Sequence, residues 1–227
     1  MQFQIEENRS NGTMNQLHNI ILPEPTLRRL PWYLAYVDIL RHKRVKYVSS
    51  TKISRALSVD ASQIAKDLSF LGVKGRTRIG YEVEDLARAL SEFLGFSRSH
   101  KAYVIGAGSL GKALIRDSGL SNYGLEIVAG FDVNADIISR TDLGVPIRHM
   151  DEIYDTMRTT PADIGILTVP PEVAQESADI AIGAGIKAIW NFTPYRVKVA
   201  EGVVMANTSI YAHLALIFTR LDSLSQQ

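Results

Sequence analysis

Residues Tyr103 to Gly111 read Tyr-Val-Ile-Gly-Ala-Gly-Ser-Leu-Gly. The glycines at 106, 108 and 111 give the spacing Gly-x-Gly-x-x-Gly. A short apolar run precedes them, and Leu110, Ala113 and Leu114 fall on one face of a following helix. This pattern suits phosphate chemistry. The first glycine allows a tight turn, the second lets the backbone approach a pyrophosphate, and the third lets helix and strand pack closely. The N–H groups at the helix start have no partner within the helix, and with the helix dipole they favour an anion. Gly106, Ala107, Gly108, Ser109, Leu110 and Gly111 therefore form a candidate pyrophosphate cradle. A second apolar run, Leu125 to Phe131, ends in Asp132, which lies 21 residues beyond Gly111. A carboxylate there, with Val133 beside it, can accept hydrogen bonds from the adenosine ribose hydroxyls. A 2′-phosphate would meet its charge with no basic residue directly following, so NAD (NADH and NAD+) is the expected cofactor.

These residues need a sheet to hold them. Apolar runs alternate with helical patterns through the C-terminal half, which predicts an α/β fold with a Rossmann-type, doubly wound parallel sheet. Further runs are Gly144 to Ile147, Ile164 to Val169, Ala188 to Trp190 and Val203 to Met205. Helices are expected over Ala135–Arg140, Ile153–Met157 and Glu172–Ala184. Ligands in such sheets sit beyond the carboxyl ends of the strands. Thr168, Val169, Pro170, Asn191 and Phe192 are thereby candidates for the nicotinamide end. The chain closes on an apolar-striped helix, Ser209 to Leu224, with no following strand to cover it.

The chain has 227 residues, 46% of them hydrophobic, and no cysteine. That excludes a disulfide framework and thiolate metal sites. No apolar run approaches the ~20 residues of a membrane helix, and Met1 to Asn19 lacks the apolar segment of a signal peptide. No membrane partner is expected, and a cytoplasmic setting fits. The net charge of +1 conceals an asymmetry. Residues 23–80 carry 12 Lys and Arg against 4 Asp and Glu, and residues 101–227 carry 10 against 14. A basic segment beside an acidic nucleotide-binding unit points to a polyanion for the former.

The basic segment is mainly α-helical. Leu27, Leu30, Leu34, Val37 and Leu40 recur at helical spacing from Thr26 to His42, with Pro31 either tolerated or marking a short break. Ser49 or Ser50 caps a second helix, Thr51 to Leu57. Ser58-Val59-Asp60 turns, and Asp60 or Ser62 caps a third, Ala61 to Leu71. Two short helices across a three-residue turn are the helix-turn-helix arrangement. Val73 to Tyr81 is expected to be a basic β-hairpin, the wing of a winged helix, and Glu82 to Leu94 is helical again. The third helix turns Ser62, Gln63 and Lys66 outward, types suited to base edges and phosphate. Arg76 and Arg78 suit phosphates or a narrow minor groove. Ser49, Ser50, Lys52, Arg55, Lys74 and Tyr81 complete the candidate DNA-binding set. The expected domains are a loose extension (1–22), a winged-helix DNA-binding domain (23–96), a linker (97–100), a Rossmann NAD(H)-binding domain (101–206) and a C-terminal dimerisation helix (207–227).

No catalytic constellation appears. His18, His42, His100, His149 and His213 are scattered, no metal-ligand spacing is present, and little chain remains for a substrate domain. Two functions stay open on the residues alone: a nucleotide-controlled DNA-binding repressor, and a small NAD-dependent reductase with an accessory basic domain.

Several motifs together resemble the Rex family of redox-sensing transcriptional repressors. They are Leu27-Arg28-Arg29-Leu30-Pro31-Trp32-Tyr33, Ser62-Gln63-Ile64-Ala65-Lys66-Asp67-Leu68, Gly80-Tyr81-Glu82-Val83, Gly106 to Gly111, Phe131-Asp132-Val133-Asn134, Thr168-Val169-Pro170 and Asn191-Phe192-Thr193-Pro194. The resemblance runs from about residue 20 to the end. It implies a homodimer, not an enzyme, that binds palindromic double-stranded operator DNA through winged helices. It also implies sensing of the NADH/NAD+ ratio at the Rossmann domain, release of DNA by NADH, and a C-terminal helix swapped between protomers. The chain departs from the family pattern at Ala65, where many members have Arg or Lys. It departs again at Ser109, Asp117 and Ser209, where some members place a basic residue, Tyr and Asp.

Overall fold

A computed structural model of the protein describes residues 22–139 and 142–225. It divides into two compact units, Met1–Arg98 and Ser99–Gln227. The expected extension lies outside the described residues except for Leu22, which is buried in the first unit's core.

The first unit is built on α1 (Glu24–His42), whose Thr26, Leu30, Tyr33, Leu34, Val37 and Leu40 are buried. Those positions repeat every three or four residues, one helical face. Pro25 sits at the helix start, where its missing N–H costs nothing. Pro31 lies inside a helix that continues through it. After α1 come β1 (Tyr47–Val48), α2 (Ser50–Leu57), α3 (Ala61–Ser69), β2 (Tyr81–Glu82) and α4 (Val83–Phe93). The core joins α1 and α4 with Ile53 of α2 and with Ile64 and Leu68 of α3.

The wing differs from the expected hairpin. Val73 and Lys74 do not pair with Tyr81. Instead β2 pairs antiparallel with β1, Tyr47 opposite Glu82 and Val48 opposite Tyr81. The wing itself is a tight loop closed by Arg76 N–H to Gly80 O (2.8 Å) and Gly80 N–H to Arg76 O (2.9 Å). Arg78 at its tip has φ +66°. Gly80 is required, since a Cβ there would lie 2.3 Å from Val48 O.

The second unit holds six strands in the order β5-β4-β3-β6-β7-β8. They are β3 (His100–Ile105), β4 (Leu125–Asp132), β5 (Ile147–His149), β6 (Ile164–Leu167), β7 (Ala188–Asn191) and β8 (Val204–Asn207). Every neighbouring pair is parallel. The chain steps one way from β3 to β4 and β5, then crosses back to β6. The switch point therefore lies between the carboxyl ends of β3 and β6, where open α/β sheets bind ligands. The helices are α5 (Ser109–Arg116), α6 (Gly119–Asn122), α7 (Ala135–Ile138), α8 (Ile153–Thr159), α9 (Ala174–Ala184) and α10 (Ile210–Ser225).

Some boundaries move. β3 begins at His100, inside the expected linker, and β5 starts only after Pro146, which has no N–H to give a ladder. β8 runs on to Asn207. Gly185, at φ +115°, stops α9 as expected. None of the residues of α10 is buried in the chain taken alone.

Candidate functional site

Two surfaces collect the candidate residues, one in each unit. In the second unit Val104 and Ile105 are buried at the sheet centre and deliver the chain to Gly106, whose φ is +92°. A Cβ on Gly106 would press to 2.8 Å against Val169, and one on Gly111 would sit 2.1 Å from Gly106 O. Both glycines are fixed by protein contacts. Gly108 is different: a Cβ there meets no atom within 4 Å. Its bareness leaves room for something outside the chain. Gly108 also caps α5 with no side-chain hydrogen bond, so the first N–H groups of that helix keep the anion-binding character expected of them.

Asp132 ends β4 and holds the cradle's shape. One carboxylate oxygen accepts from Ala107 N–H at 2.8 Å. The other accepts from Val133 N–H (2.8 Å) and Asn134 N–H (2.9 Å). Thr168 fastens the opposite side, its hydroxyl donating to Gly106 O at 2.6 Å.

Beside these groups lies a cavity of about 560 Å³. Gly106, Gly108, Asp132, Val133, Thr168, Val169 and Pro170 all line it. So do Ile105, Phe131, Asn134, Ile137, Met150, Asp151, Val173, Glu176, Ser177 and Ile180, which sequence reasoning missed. One signal for part of this set was available: Val173, Glu176, Ser177 and Ile180 share a single helical face. The residues fit a dinucleotide. The bare backbone at Gly108 and the start of α5 would take the pyrophosphate, Asp132 the ribose, and the apolar walls a ring. Ala107 and Gly111 are buried, so they contribute backbone and close packing only. Ser109 and Leu110 form the first turn of α5.

Asn191 and Phe192, expected at the nicotinamide end, are not among the residues that line this cavity. Asn191 is 1% exposed. Its amide nitrogen donates to Tyr195 O and Asn207 Oδ1, and its amide oxygen accepts from Thr193 N–H and hydroxyl. Phe192 packs on Trp190 with ring centroids 4.6 Å apart. Both residues build the β7 loop.

In the first unit, Ser49 caps α2 by accepting from Lys52 N–H at 3.1 Å. Ser50 is the first helical residue, and Lys52 and Arg55 are exposed. Asp60 caps α3, accepting from Ser62 N–H at 2.8 Å and Gln63 N–H at 3.3 Å. The Ser62 hydroxyl bond holds the Asp60 carboxyl below its usual range. Ser62, Ala65, Lys66 and Ser69 are exposed at helical spacing on one face.

Gln63 is corrected. It is half-buried, and its Nε2 donates to Asp67 Oδ1 at 2.8 Å rather than pointing free. Asp67 is fully buried, and Thr26, Arg29 and Tyr33 also donate to it. Burial alone would push the Asp67 carboxyl up. The hydrogen bonds from Arg29, Tyr33 and Gln63, with the Arg29 charge, hold it below the usual range.

Tyr81 is also corrected. It is buried beneath the wing, and a Cβ on Gly75 would meet its ring at 3.3 Å. Burial raises its phenol. Arg76 is drawn onto the two-stranded sheet, its Nη1 donating to Tyr47 OH at 3.1 Å and its Nη2 lying 3.6 Å from Glu82. Arg78 and Lys74 remain exposed. No helix among the described residues is long and apolar enough to cross a membrane, and no group of three or more acidic or His side chains among them could hold a metal.

Comparison with known proteins follows this division. The family described as "CoA binding domain" matches residues 97–195, and "Putative DNA-binding protein N-terminus" matches residues 21–69. A protein of Bacteroides fragilis named redox-sensing transcriptional repressor Rex is 56% identical over 212 residues, 93% of this chain and 96% of that protein. One of the same name from Treponema denticola is 38% identical, covering 88% of this chain and 95% of its own. The crystal structure of RSP with β-NAD+ and operator DNA superposes with a TM-score of 0.86 at 34% identity, over 92% of this chain and 96% of that one. RSP with β-NADH gives 0.81 at 33% identity, over 92% and 98%. With both units, the glycine cradle and the capped α2–α3 pair matched along nearly the whole length, the chain belongs to the Rex family of redox-sensing transcriptional repressors.

Proposed function

We propose that the protein is a homodimer that holds a palindromic operator through two copies of its N-terminal unit and releases it when NADH occupies the second unit. The observation that carries this reading is one chain holding both parts: the Gly106–Gly111 cradle with Asp132, and the capped α2–α3 pair with exposed Lys52, Arg55 and Lys66. The relatives' names and the RSP complexes with β-NAD+ plus operator DNA and with β-NADH support it. The cofactors are NAD+ and NADH, the setting is cytoplasmic, and the chain turns nothing over. Lys66, Lys52, Arg55, Lys74 and Arg78 meet phosphates, which position the protein without reading sequence. Ser49 and Ser50 bring the start of α2 to the backbone.

A two-fold dimer must set its reading helices about 34–36 Å apart to match two major-groove half-sites. NADH need only change that spacing to release DNA. Such coupling is reciprocal, so operator must weaken NADH by the factor by which NADH weakens operator. Fluorescence anisotropy on a selected duplex, titrated with NADH and separately with NAD+, tests the reading. Release by NADH at concentrations where NAD+ leaves the complex intact is expected. Equal effects of both nucleotides, or steady oxidation of NADH by any added carbonyl substrate, overturn it.

A further inference from the structure

The face of α3 that would enter a groove has an unusual donor inventory. Its exposed positions are Ser62, Ala65, Lys66 and Ser69. The Ser62 hydroxyl donates to Asp60, and the Ser69 hydroxyl donates to Lys66 O at 2.7 Å. The half-buried Gln63 gives its Nε2 to Asp67. These groups still have oxygens that accept, but both serine donors are spent inside the fold, and Gln63 keeps only the second N–H of its amide. Among the four exposed positions, Lys66 carries the one side-chain donor with no partner among the described residues. Gln63 is thereby held back from the exposed face by its tie to Asp67. Between Ser62 and Ser69, one turn from each end of the face, stands the bare methyl of Ala65.

A methyl group discriminates by apolar contact, and the C5-methyl of thymine is the apolar group that base pairs present in the major groove. Resting on the DNA-binding role above, we propose that Ala65 specifies one thymine in each operator half-site by contact with that methyl. Operator preference at this position is then set by shape and desolvation rather than by a hydrogen bond. Lys66, next along the face, supplies charge to the adjoining phosphate. Removing one buried methyl-sized group is worth about four-fold in affinity, the equivalent of ~0.8 kcal/mol. Removing the thymine methyl from both half-sites should thus weaken binding about fifteen-fold.

The test uses the full chain with NAD+ present. A duplex is first selected from a randomised library. Each thymine is then replaced, symmetrically in both half-sites, by deoxyuridine, which deletes the methyl and keeps every base-pair hydrogen bond. Anisotropy is measured for the wild type, for Ala65→Gly and for Ala65→Ser, with circular dichroism confirming the helix in each. The inference expects one thymine position whose deoxyuridine substitution weakens the wild type and leaves Ala65→Gly unaffected. Ala65→Ser, which stays small, guards against loss of helix in the glycine variant and should show a reduced methyl dependence. If no thymine matters, or the same one matters equally in all three proteins, Ala65 does not read it, while the DNA-binding role stands. If the folded chain enriches no duplex at all, that role fails and this inference falls with it.

Discussion

Arg29 meets Asp67 fork to fork: Nε donates to Oδ2 at 2.7 Å and Nη2 to Oδ1 at 2.9 Å, across 38 residues of sequence. Thr26 and Tyr33 complete the ring from α1, and Gln63 closes it from α3. Helix α3 is thus bolted to α1 through a buried carboxylate. Asp67→Asn keeps the shape but leaves the guanidinium without its counter-charge. Loss of one partner of such a pair costs about 3–5 kcal/mol, and the partial exposure of Arg29 places this one at the lower end. Chemical denaturation should show the first unit losing ~3 kcal/mol, while calorimetry finds NADH binding unchanged. A melt identical to wild type would mean the network is decorative.

The same ring sets a pH dependence. The folded Asp67 carboxyl lies below its usual range, so the unfolded chain binds a proton first as pH falls. Its stabilisation is present above about pH 4 and is lost as pH drops through the folded value. Tyr33 shows the opposite trend: burial, then the Asp67 bond and charge, push its phenol up to about 12. That contribution is whole below about pH 10 and fades as pH rises towards the folded value. Melting of wild type against Asp67→Asn across pH 3–7 should converge at the acid end. Parallel curves would show that Asp67 does not carry the acid limb.

The cradle glycines separate by cause. Gly111→Ala drives a Cβ into Gly106 O and should destabilise the second unit with or without nucleotide. Gly108→Ala meets nothing in the chain, so it should melt like wild type and still bind NADH at least ten-fold more weakly, ~1.4 kcal/mol or more. Calorimetry and thermal melts on the pair decide the matter; full affinity in Gly108→Ala would remove the pyrophosphate from that spot.

Asp132→Ala removes the carboxylate expected to accept from the ribose, together with its tie to Ala107 N–H. NADH should weaken by roughly ten-fold or more, the worth of a charge-assisted hydrogen bond. NADPH, whose extra phosphate no longer faces a carboxylate, should weaken less or improve. Equal losses for the two would mean Asp132 only shapes the loop.

The glycine cradle was legible in the sequence because steric need fixes residue type: two of its glycines have no room for a Cβ. The parallel sheet was legible for a similar reason, since strands buried on both faces write themselves as continuous apolar runs. The Asp67 ring was not legible. Its α1 members lie 34 to 41 residues from Asp67, and nothing in the sequence pairs the two helices. Tyr81 was misplaced because a two-residue strand leaves no alternation to detect, and its partner, β1, is equally short. Asn191 was read as a ligand-facing end of strand. A buried amide surrounded by its own loop carries the same letters.

Helix α10 places Ile210, Leu214, Ile217, Phe218 and Leu221 in water when the chain stands alone. We expect this stripe to pack against a second copy, so deletion of residues 208–227 should give monomers or aggregates with poor operator affinity, visible by sedimentation. The thermodynamic corollary reaches further. Where folding of a segment and pairing of chains are one event, the melting temperature is not a constant of the molecule but climbs with the logarithm of its concentration. The abundance of the protein then becomes an input to the switch alongside the nucleotide, and a dilute cell and a crowded one would set the same redox threshold differently.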